Sequence, residues 1–485
     1  MTLSDFKDKK ITVMGIGLHG GGVGVIKFLA AQGAKVLATD LRTASELRES
    51  LEILKDLPVE YVLGRHRLED FTKTDLVIKN PAISEDSKFL KAAKHAGIKI
   101  ETDIGIFFEL CPAPIIGITG TKGKSTIASV LAHIFNYSKQ FPQVVLAGNI
   151  RSSVLEKLPE ITKDSIVILE LSSWQLADAK THKISPYIAL ITNILNDHMN
   201  RYKNIDDYIE DKKNIFKFQG VNDYLFLNYE ERILKNFASQ TKSKIYFYGG
   251  KDDEMLNTKL PQLNQTPRIG AYLKGNKIYF GANSESVCLI KDIKLAGRHN
   301  LINILAAISV VKLYNISNHK IKLALQKFEG IEGRLQQIAE INGIKYINDT
   351  ASTAPDAAIA AINTINNLDS LKVKNLILIS GGTDKNLDFT DMGKAIDEKC
   401  KIIILLPGSA TDKIKKAIGP KTESWQVPNM DKAVQLAAAL AKPGETVLLS
   451  PGCASFGLFR HEFERGEAFN NAVSFLKIKK IKLKK

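Results

Sequence analysis

Cysteine is scarce in this 485-residue chain: Cys111, Cys288, Cys400 and Cys453 stand far apart, with no CxxC pair among them. That excludes a zinc ribbon, a redox dithiol and a disulfide framework, and leaves the thiols as small buried apolar groups. Long apolar runs are missing too; none approaches the roughly eighteen consecutive residues a membrane helix needs. The opening MTLSDFKDKK is polar where a secretory signal would be apolar. Together these absences predict a cytoplasmic protein without stable membrane insertion. No short internal repeat is present.

Acidic residues are outnumbered, and the formal net charge of +15 raises the question of nucleic acid. Six lysines fall in the tail from Lys477 to Lys485, which leaves +9 spread over 476 residues. A lysine-rich tail is ordinarily a solvated end. The diffuse remainder suits an enzyme whose substrates carry phosphates, and no nucleic-acid partner is expected.

What is present is an ordinary globular balance, 44% hydrophobic and 25% charged, in a length that fits two to four domains. Short apolar runs alternate with helical patterns, the signature of βαβ units and parallel sheets. Strands are expected at Ile11–Met14, Lys35–Thr39 and Asp75–Lys79, with a helix over Gly22–Gln32. A second block has strands at Ile115–Thr119, Ser165–Glu170 and Tyr187–Thr192, and helices near Ser125–Phe135 and Asn300–Val311. Inside it, Ile245–Tyr248 and a hairpin over Ala271–Phe280, turning at Gly275-Asn276, form a small β excursion. A third block carries strands at Lys345–Asn348, Asn375–Ile379, Lys401–Ile404 with Leu405, and Thr446–Ser450. The expected fold is α/β in three domains: 1–102 Rossmann-like, 103–330 a P-loop mononucleotide-binding domain, and 331–485 Rossmann-like again.

Two glycine loops carry chemistry. Gly15-Ile-Gly17-Leu-His-Gly20 follows a strand and opens a helix, and Asp40 closes the next strand, which is the dinucleotide fingerprint. It fits a nicotinamide or flavin oxidoreductase, a nucleotide-sugar diphosphate, or an unliganded tight turn; a diphosphate at a helix N-terminus is all it specifies. Gly117-Ile-Thr-Gly120-Thr-Lys-Gly123-Lys124-Ser125-Thr126 is sharper, although one residue longer than the usual P-loop. Its amides would cradle ATP phosphates, Lys124 would offset their charge and Ser125 would ligate Mg²⁺. Glu170 ends a strand, and Asn193, Asp197 and His198 follow another; strand ends of one parallel sheet converge on the ligand crevice.

These residues resemble a known family. Thr119–Thr126, Gly148-Asn149-Ile150, Glu170–Gln175, Asp197–Tyr202, Gly297–Asn300, Asn348-Asp349-Thr350, Gly381–Lys385, Ser450–Phe456 and Phe463–Gly466 are similar, in order, to segments of the Mur ligases of peptidoglycan synthesis. The resemblance implies an ADP-forming, amide-forming ligase that activates a carboxylate as an acyl phosphate and then adds an amino acid. The branch it points to joins D-glutamate to UDP-N-acetylmuramoyl-L-alanine, while a sister activity adds L-glutamate. It also redirects the first loop to uridine diphosphate.

By resemblance, Leu18, His19, Asp40, Arg42 and Asn149 would hold the UDP-substrate. ATP would meet Gly120, Thr121, Lys122, Gly123, Lys124, Ser125, Thr126, Asn300, Asn303, Arg334 and Asp349. Two Mg²⁺ ions would be held by Ser125, Glu170, His198 and Lys212, the lysine being carbamylated in the family; Lys124, His198 and Lys212 would be catalytic. Thr353, Lys385, Ser455 and Phe459 would take the amino acid. A monomer is expected, with domain closure before chemistry.

Departures from the family pattern are Lys122 for asparagine, Asn80-Pro-Ala82 for Ser-Pro-Gly, and Gly333 for histidine. Ala351 stands for lysine, and Ser455-Phe-Gly-Leu-Phe459 for Ser-x-Asp-x-Phe. Without the resemblance, Lys212 reads as a solvated helix lysine, no different from Lys213. A folate-polyglutamate-type synthase would leave the first block unexplained, and an oxidoreductase would leave the P-loop idle.

Overall fold

The computed structural model describes residues 1–17, 20–81, 83–148, 153–195, 202, 204–250, 267–295, 297–368, 374–384, 387–420 and 422–482. Its contacts divide into two compact units, Met1–Ile293 with Arg298–Lys327, and Lys294–Gly297 with Phe328–Lys485.

The first unit opens with a parallel sheet of β1 (Lys10–Met14), β2 (Lys35–Asp40), β3 (Val59–Leu63), β4 (Leu76–Lys79) and β5 (Lys99–Glu101), in the order β3-β2-β1-β4-β5. Helix α1 (Gly21–Ala31) follows β1, one residue earlier than the sequence suggests. The winding direction reverses at β1, where doubly wound sheets bind ligands beyond their strand ends.

After helix α2 (Asp103–Leu110) comes a seven-stranded parallel sheet. Its strands are β6 (Ile115–Thr119), β7 (Val144–Gly148), β8 (Ile166–Glu170), β9 (Ile188–Ile191), β10 (Tyr224–Asn228), β11 (Lys244–Tyr248) and β12 (Arg268–Ile269), ordered β12-β11-β10-β9-β6-β8-β7. β6, β8 and β9 are buried along their whole length, as strands covered by helices on both faces must be. The hairpin expected from Gly275-Asn276 is present as β13 (Ala271–Lys274) and β14 (Lys277–Phe280). A third strand, β15 (Glu285–Leu289), completes it after the turn Gly281-Ala-Asn-Ser284, and is absent from the sequence reading.

The second unit holds β16 (Gln336–Ile341), β17 (Ile344–Asn348), β18 (Leu376–Ser380), β19 (Cys400–Leu405), β20 (Glu423–Gln426) and β21 (Thr446–Leu449), ordered β16-β17-β21-β18-β19-β20. Only β16 runs antiparallel, and it is absent from the sequence reading. In β18, Ile377 and Ile379 enter one core while Leu376 and Leu378 enter the other, so the period of two serves two buried faces. Each such side chain contributes about 1.5–3 kcal/mol on burial.

Within the first unit, the two parallel sheets are joined by charged contacts. Lys79 at the end of β4 pairs with Asp178 of helix α4 (Ser173–Ala179) at 2.6 Å, both side chains 6% exposed. Just beyond that helix, His182 sits between two carboxylates, with Nε2 2.7 Å from Glu101 and Nδ1 2.7 Å from Glu109. Gly105 makes room for the ring: a Cβ there would lie 2.4 Å from Nε2. Lys99 and the N-terminal amine pair with the same two glutamates, so the cluster balances its own charge. Glu101, with Glu109, holds the His182 imidazolium above its usual range against the opposing effect of burial.

An imidazolium favoured by the fold stabilises it fully below about pH 6.5, and that contribution disappears as pH rises through the raised value. His182→Gln should therefore lower the melting temperature by roughly 2–4 °C at pH 6, and by progressively less toward pH 9. Thermal melts across that range check this; a pH-independent gap would contradict it.

Candidate active site

The first glycine loop begins where β1 ends. Gly15, Gly17 and Gly20 have φ of 94°, 71° and 83°, and Gly20 caps α1 in the left-handed conformation. At Gly22 a Cβ would meet the carbonyl oxygens of Gly15 and Ile16 at 2.4 Å, so only glycine lets the helix approach the strand this closely. Asp40 is buried, and its Oδ2 accepts from the amides of Ile16 (3.0 Å) and Gly17 (3.1 Å). Its Oδ1 accepts from the Arg42 amide at 3.0 Å. The carboxylate that the fingerprint assigns to a ribose hydroxyl is here engaged in shaping the loop itself. A cleft beside the loop is lined by Gly15, Gly22, Lys79, Asn80 and Asp103. Leu18, His19 and Asn149 lie outside the described residues.

The second loop begins where β6 ends and leads into helix α3 (Lys124–Ser138). Gly120 and Gly123 have φ of 140° and 91°. A Cβ on Gly120 would fall 1.9 Å from Thr192 Oγ1, and one on Gly123 would fall 2.5 Å from Asn303 Oδ1. Helix α5 (Ile205–Lys213) carries Tyr208 and Lys212, and Asn303 belongs to helix α6 (Arg298–Lys312). The fold thus brings two of the expected ATP residues, Gly123 and Asn303, into contact. Asn300 lies one turn earlier on the same helix, half-buried.

Neighbouring strand ends stitch the loop from several sides. Asn193 Oδ1 accepts the Lys122 amide at 2.9 Å, and Thr192 Oγ1 donates to the Lys122 carbonyl at 2.6 Å. The Thr121 hydroxyl meets Tyr208 Oη at 3.0 Å and accepts from the Leu195 amide at 3.0 Å. Lys124 folds back so that Nζ donates to the carbonyls of Gly120 (2.9 Å) and Thr121 (3.1 Å). Ser125 and Thr126 stand half-buried in the first turn of α3, and Glu170 is buried at the end of β8, in register with Ile118 of β6.

Lys212 is the residue whose surroundings the sequence misjudges. On local pattern alone it is a solvated helix lysine, yet it is 2% exposed. Its Nζ donates to Gly120 O (3.2 Å) and Thr119 Oγ1 (3.4 Å) and lies 4.5 Å from the Tyr208 ring centre. Lys213, the next residue, instead pairs with Glu210. Asn193, noted in the sequence as a strand-end residue, belongs to this site. Tyr208 and Thr192 join it without having been singled out in the sequence; each follows or faces a buried strand of the P-loop sheet, which is the one signal that could have found them. His198 lies outside the described residues.

In the second unit the candidate residues gather at strand ends. Asp349 follows β17, and Ser455 and Phe459 follow β21 in the loop that bridges back through Ala454 to Thr383. Thr353 ends the turn after Asp349, and Arg334 sits on a short bridge with Ile331. Lys385 lies outside the described residues. The Asp349 carboxylate accepts from Ser352 Oγ (2.5 Å), Ser450 Oγ (2.8 Å) and the Leu335 amide (3.1 Å). Burial nonetheless pushes it up to about 6.

Three stretches of the chain match known families: 9–102 the MurD-like N-terminal domain of Mur ligases, 118–311 the Mur ligase middle domain, and 333–453 the Mur ligase glutamate ligase domain. The chain belongs to the Mur ligase family. A Mur ligase relative from Roseiflexus sp. (strain RS-1), named UDP-N-acetylmuramoylalanine–D-glutamate ligase, is 41% identical over 474 residues, covering 96% of this chain and 98% of the relative. One of the same name from Borreliella afzelii (strain PKo) is 37% identical over 481 residues, covering 98% and 100%. Among solved structures, the Mur ligase MurC of Thermotoga maritima superposes with a TM-score of 0.60 at 17% identity, over 96% of this chain and 99% of that one. A MurF ligase of Thermotoga maritima in complex with ADP gives 0.53 at 12%, over 96% of both. At such identities the structures speak for the fold alone. No helix among the described residues is long and apolar enough to cross a membrane.

For Asp349 the raised value means that the folded state binds its proton more tightly, so ionisation destabilises the fold as pH passes from about 4 to 6. Asp349→Asn removes that cost. Its stability relative to wild type should rise by on the order of 3 kcal/mol between pH 4 and pH 8, while turnover falls. Denaturant melts at both pH values check the first part and a turnover assay the second.

Proposed function

We propose that this chain joins D-glutamate to UDP-N-acetylmuramoyl-L-alanine, using ATP to activate the substrate carboxylate as an acyl phosphate. The near full-length 41% match to a relative named for that reaction carries the reading. The carboxylate attacks the γ-phosphorus and ADP leaves; the glutamate amine then attacks the acyl carbon and inorganic phosphate departs. The substrates are polyanions, and bringing a carboxylate beside a triphosphate requires cationic screening. Lys124 supplies one such charge from the loop itself.

Ser125 in the first turn of α3 and Glu170 at the end of β8 offer hard oxygen donors around the P-loop, a donor set that suits Mg²⁺. When bound, Mg²⁺ offsets charge on the phosphate oxygens. Lys212, and His198 outside the described residues, are assigned to a second ion. An ammonium cannot ligate a cation, but a lysine amine that adds CO₂ and loses a proton becomes a carbamate with ligand oxygens. The burial of Lys212 beneath the loop, with Nζ turned toward the Gly120 carbonyl and the Thr119 hydroxyl, supports that role. Leu18, His19, Asp40, Arg42 and Asn149 are assigned to the UDP-substrate. Thr353, Lys385, Ser455 and Phe459 are assigned to the amino acid, and Lys385 is a point charge suited to a dicarboxylate.

Phosphate release from ATP should require UDP-N-acetylmuramoyl-L-alanine and D-glutamate together, and L-glutamate should not replace the D-enantiomer. Release with either substrate alone, or equal release with the L-enantiomer, would overturn the reading. Lys124→Ala should lower kcat by about a thousandfold. Lys212→Ala should lose turnover and regain part of it with millimolar acetate or formate; a folded variant that shows no rescue would remove the carbamate.

A further inference from the structure

Arg465 is a buried cation that no step above uses. It lies in the first turn of helix α7 (Glu462–Lys482), and its side chain is among the largest fully buried ones, at 1% exposure. Its guanidinium makes three hydrogen bonds, all to neutral oxygens. Nε donates to Thr350 Oγ1 (3.1 Å), Nη2 to the Thr350 carbonyl (2.9 Å) and Nη1 to the Cys453 carbonyl (3.1 Å). No carboxylate among the described residues forms an ion pair with it; Glu462, on the same helix, acts only from a distance. Burial brings its pKa down to about 10, which records the cost of keeping the charge there.

This is an unfavourable placement for a merely structural residue. A buried charge without an ionic partner is costly, and an apolar side chain of similar volume would fill the space at less cost. A cation in the first turn of a helix also opposes the helix dipole. What the guanidinium achieves is geometric. Its planar fork holds the loop after β17 and the loop after β21 in one fixed relation, two loops that leave adjacent parallel strands. The first loop continues from Thr350 to Thr353, and the second from Cys453 to Ser455.

The same contact is tightened from both sides. Gly466 leaves no room for a Cβ, which would lie 2.7 Å from Thr350 Cγ2. Asn348 donates to the Gly466 carbonyl (3.1 Å) and to Asn470 Oδ1 (2.8 Å). The Thr350 hydroxyl donates in turn to the Glu462 carbonyl.

We propose that Arg465 is a positioning residue for the amino-acid substrate, setting the distance between Thr353 and Ser455 by clamping the loops that carry them. This rests on the reading of Thr353 and Ser455 as the glutamate pocket. Arg465 itself touches no substrate in this account.

The test uses the full-length enzyme, with kcat and KM measured for ATP, UDP-N-acetylmuramoyl-L-alanine and D-glutamate, and melting temperatures alongside. Arg465→Lys keeps the charge but cannot reach both loops with a rigid fork. It should raise KM for D-glutamate by about tenfold or more, with KM for the UDP-substrate within about twofold of wild type. Thr350→Val removes the acceptor of Nε while keeping the side-chain shape, so it should shift the same constant in the same direction even if Arg465→Lys folds poorly. A lower melting temperature with KM for D-glutamate unchanged in either folded variant would overturn the proposal, as would a parallel rise in all three KM values. Failure of the pocket reading looks different: the wild type itself would then show no dependence on D-glutamate.

Discussion

An anion-binding loop must keep its amides turned outward before any anion arrives, and in this protein the parallel sheet imposes that from behind. The turn after β6 holds two glycines at positive φ. Its shape is set by Thr192 and Asn193 from the next strand, by Tyr208 through Thr121, and by Lys212 on the carbonyl of Gly120. Thr192, Asn193 and Lys212 meet backbone groups that would otherwise be free to turn, and Tyr208 meets the Thr121 hydroxyl. The rest of the first unit depends on this preorganisation, because a loop that reorganised on binding would lose the affinity its amides supply.

The same logic, with different chemistry, runs through the second unit. Asp349 is held by two hydroxyls and one amide at a cost that burial makes visible, and Arg465 is held by neutral oxygens alone. Groups of opposite sign are kept within one small region without being allowed to neutralise each other in a direct ion pair. Both burials weaken the fold, and at Arg465 what the charged fork secures is the relation of two loops rather than a contact with a ligand. The first glycine loop is the milder case, where Asp40 stabilises the turn by accepting its amides.

Much of the architecture was legible in the sequence because parallel sheets buried on both faces produce continuous apolar runs. Ile115–Thr119 and Ile166–Glu170 announce themselves in this way. Of the strands that escaped notice, β7 and β10 carry apolar runs and were passed over, while two others lack that signature. β16 alternates at an edge, and β20 is exposed along its length, so neither requires the run of apolar residues that marks a central strand. The glycine loops were legible for a separate reason: only glycine tolerates φ near +90° beside a packed backbone, so its spacing in the chain directly reports the turn.

By itself, the sequence determined the succession of α/β blocks, the two phosphate-type loops and the ordered motifs that mark the family, since all of these are local patterns a few residues long. Tertiary structure alone decided what the ionisable side chains face. Lys212 and Lys213 are neighbours with identical chemistry, yet a helix turns about 100° per residue. One is therefore sealed under the P-loop beside Tyr208, four positions back on the same face, and the other pairs with Glu210 near the surface. Likewise nothing local distinguishes Arg465 from a surface arginine. Its burial follows from the packing of α7 against the strand-end loops of β17 and β21, which are more than a hundred residues apart in the chain.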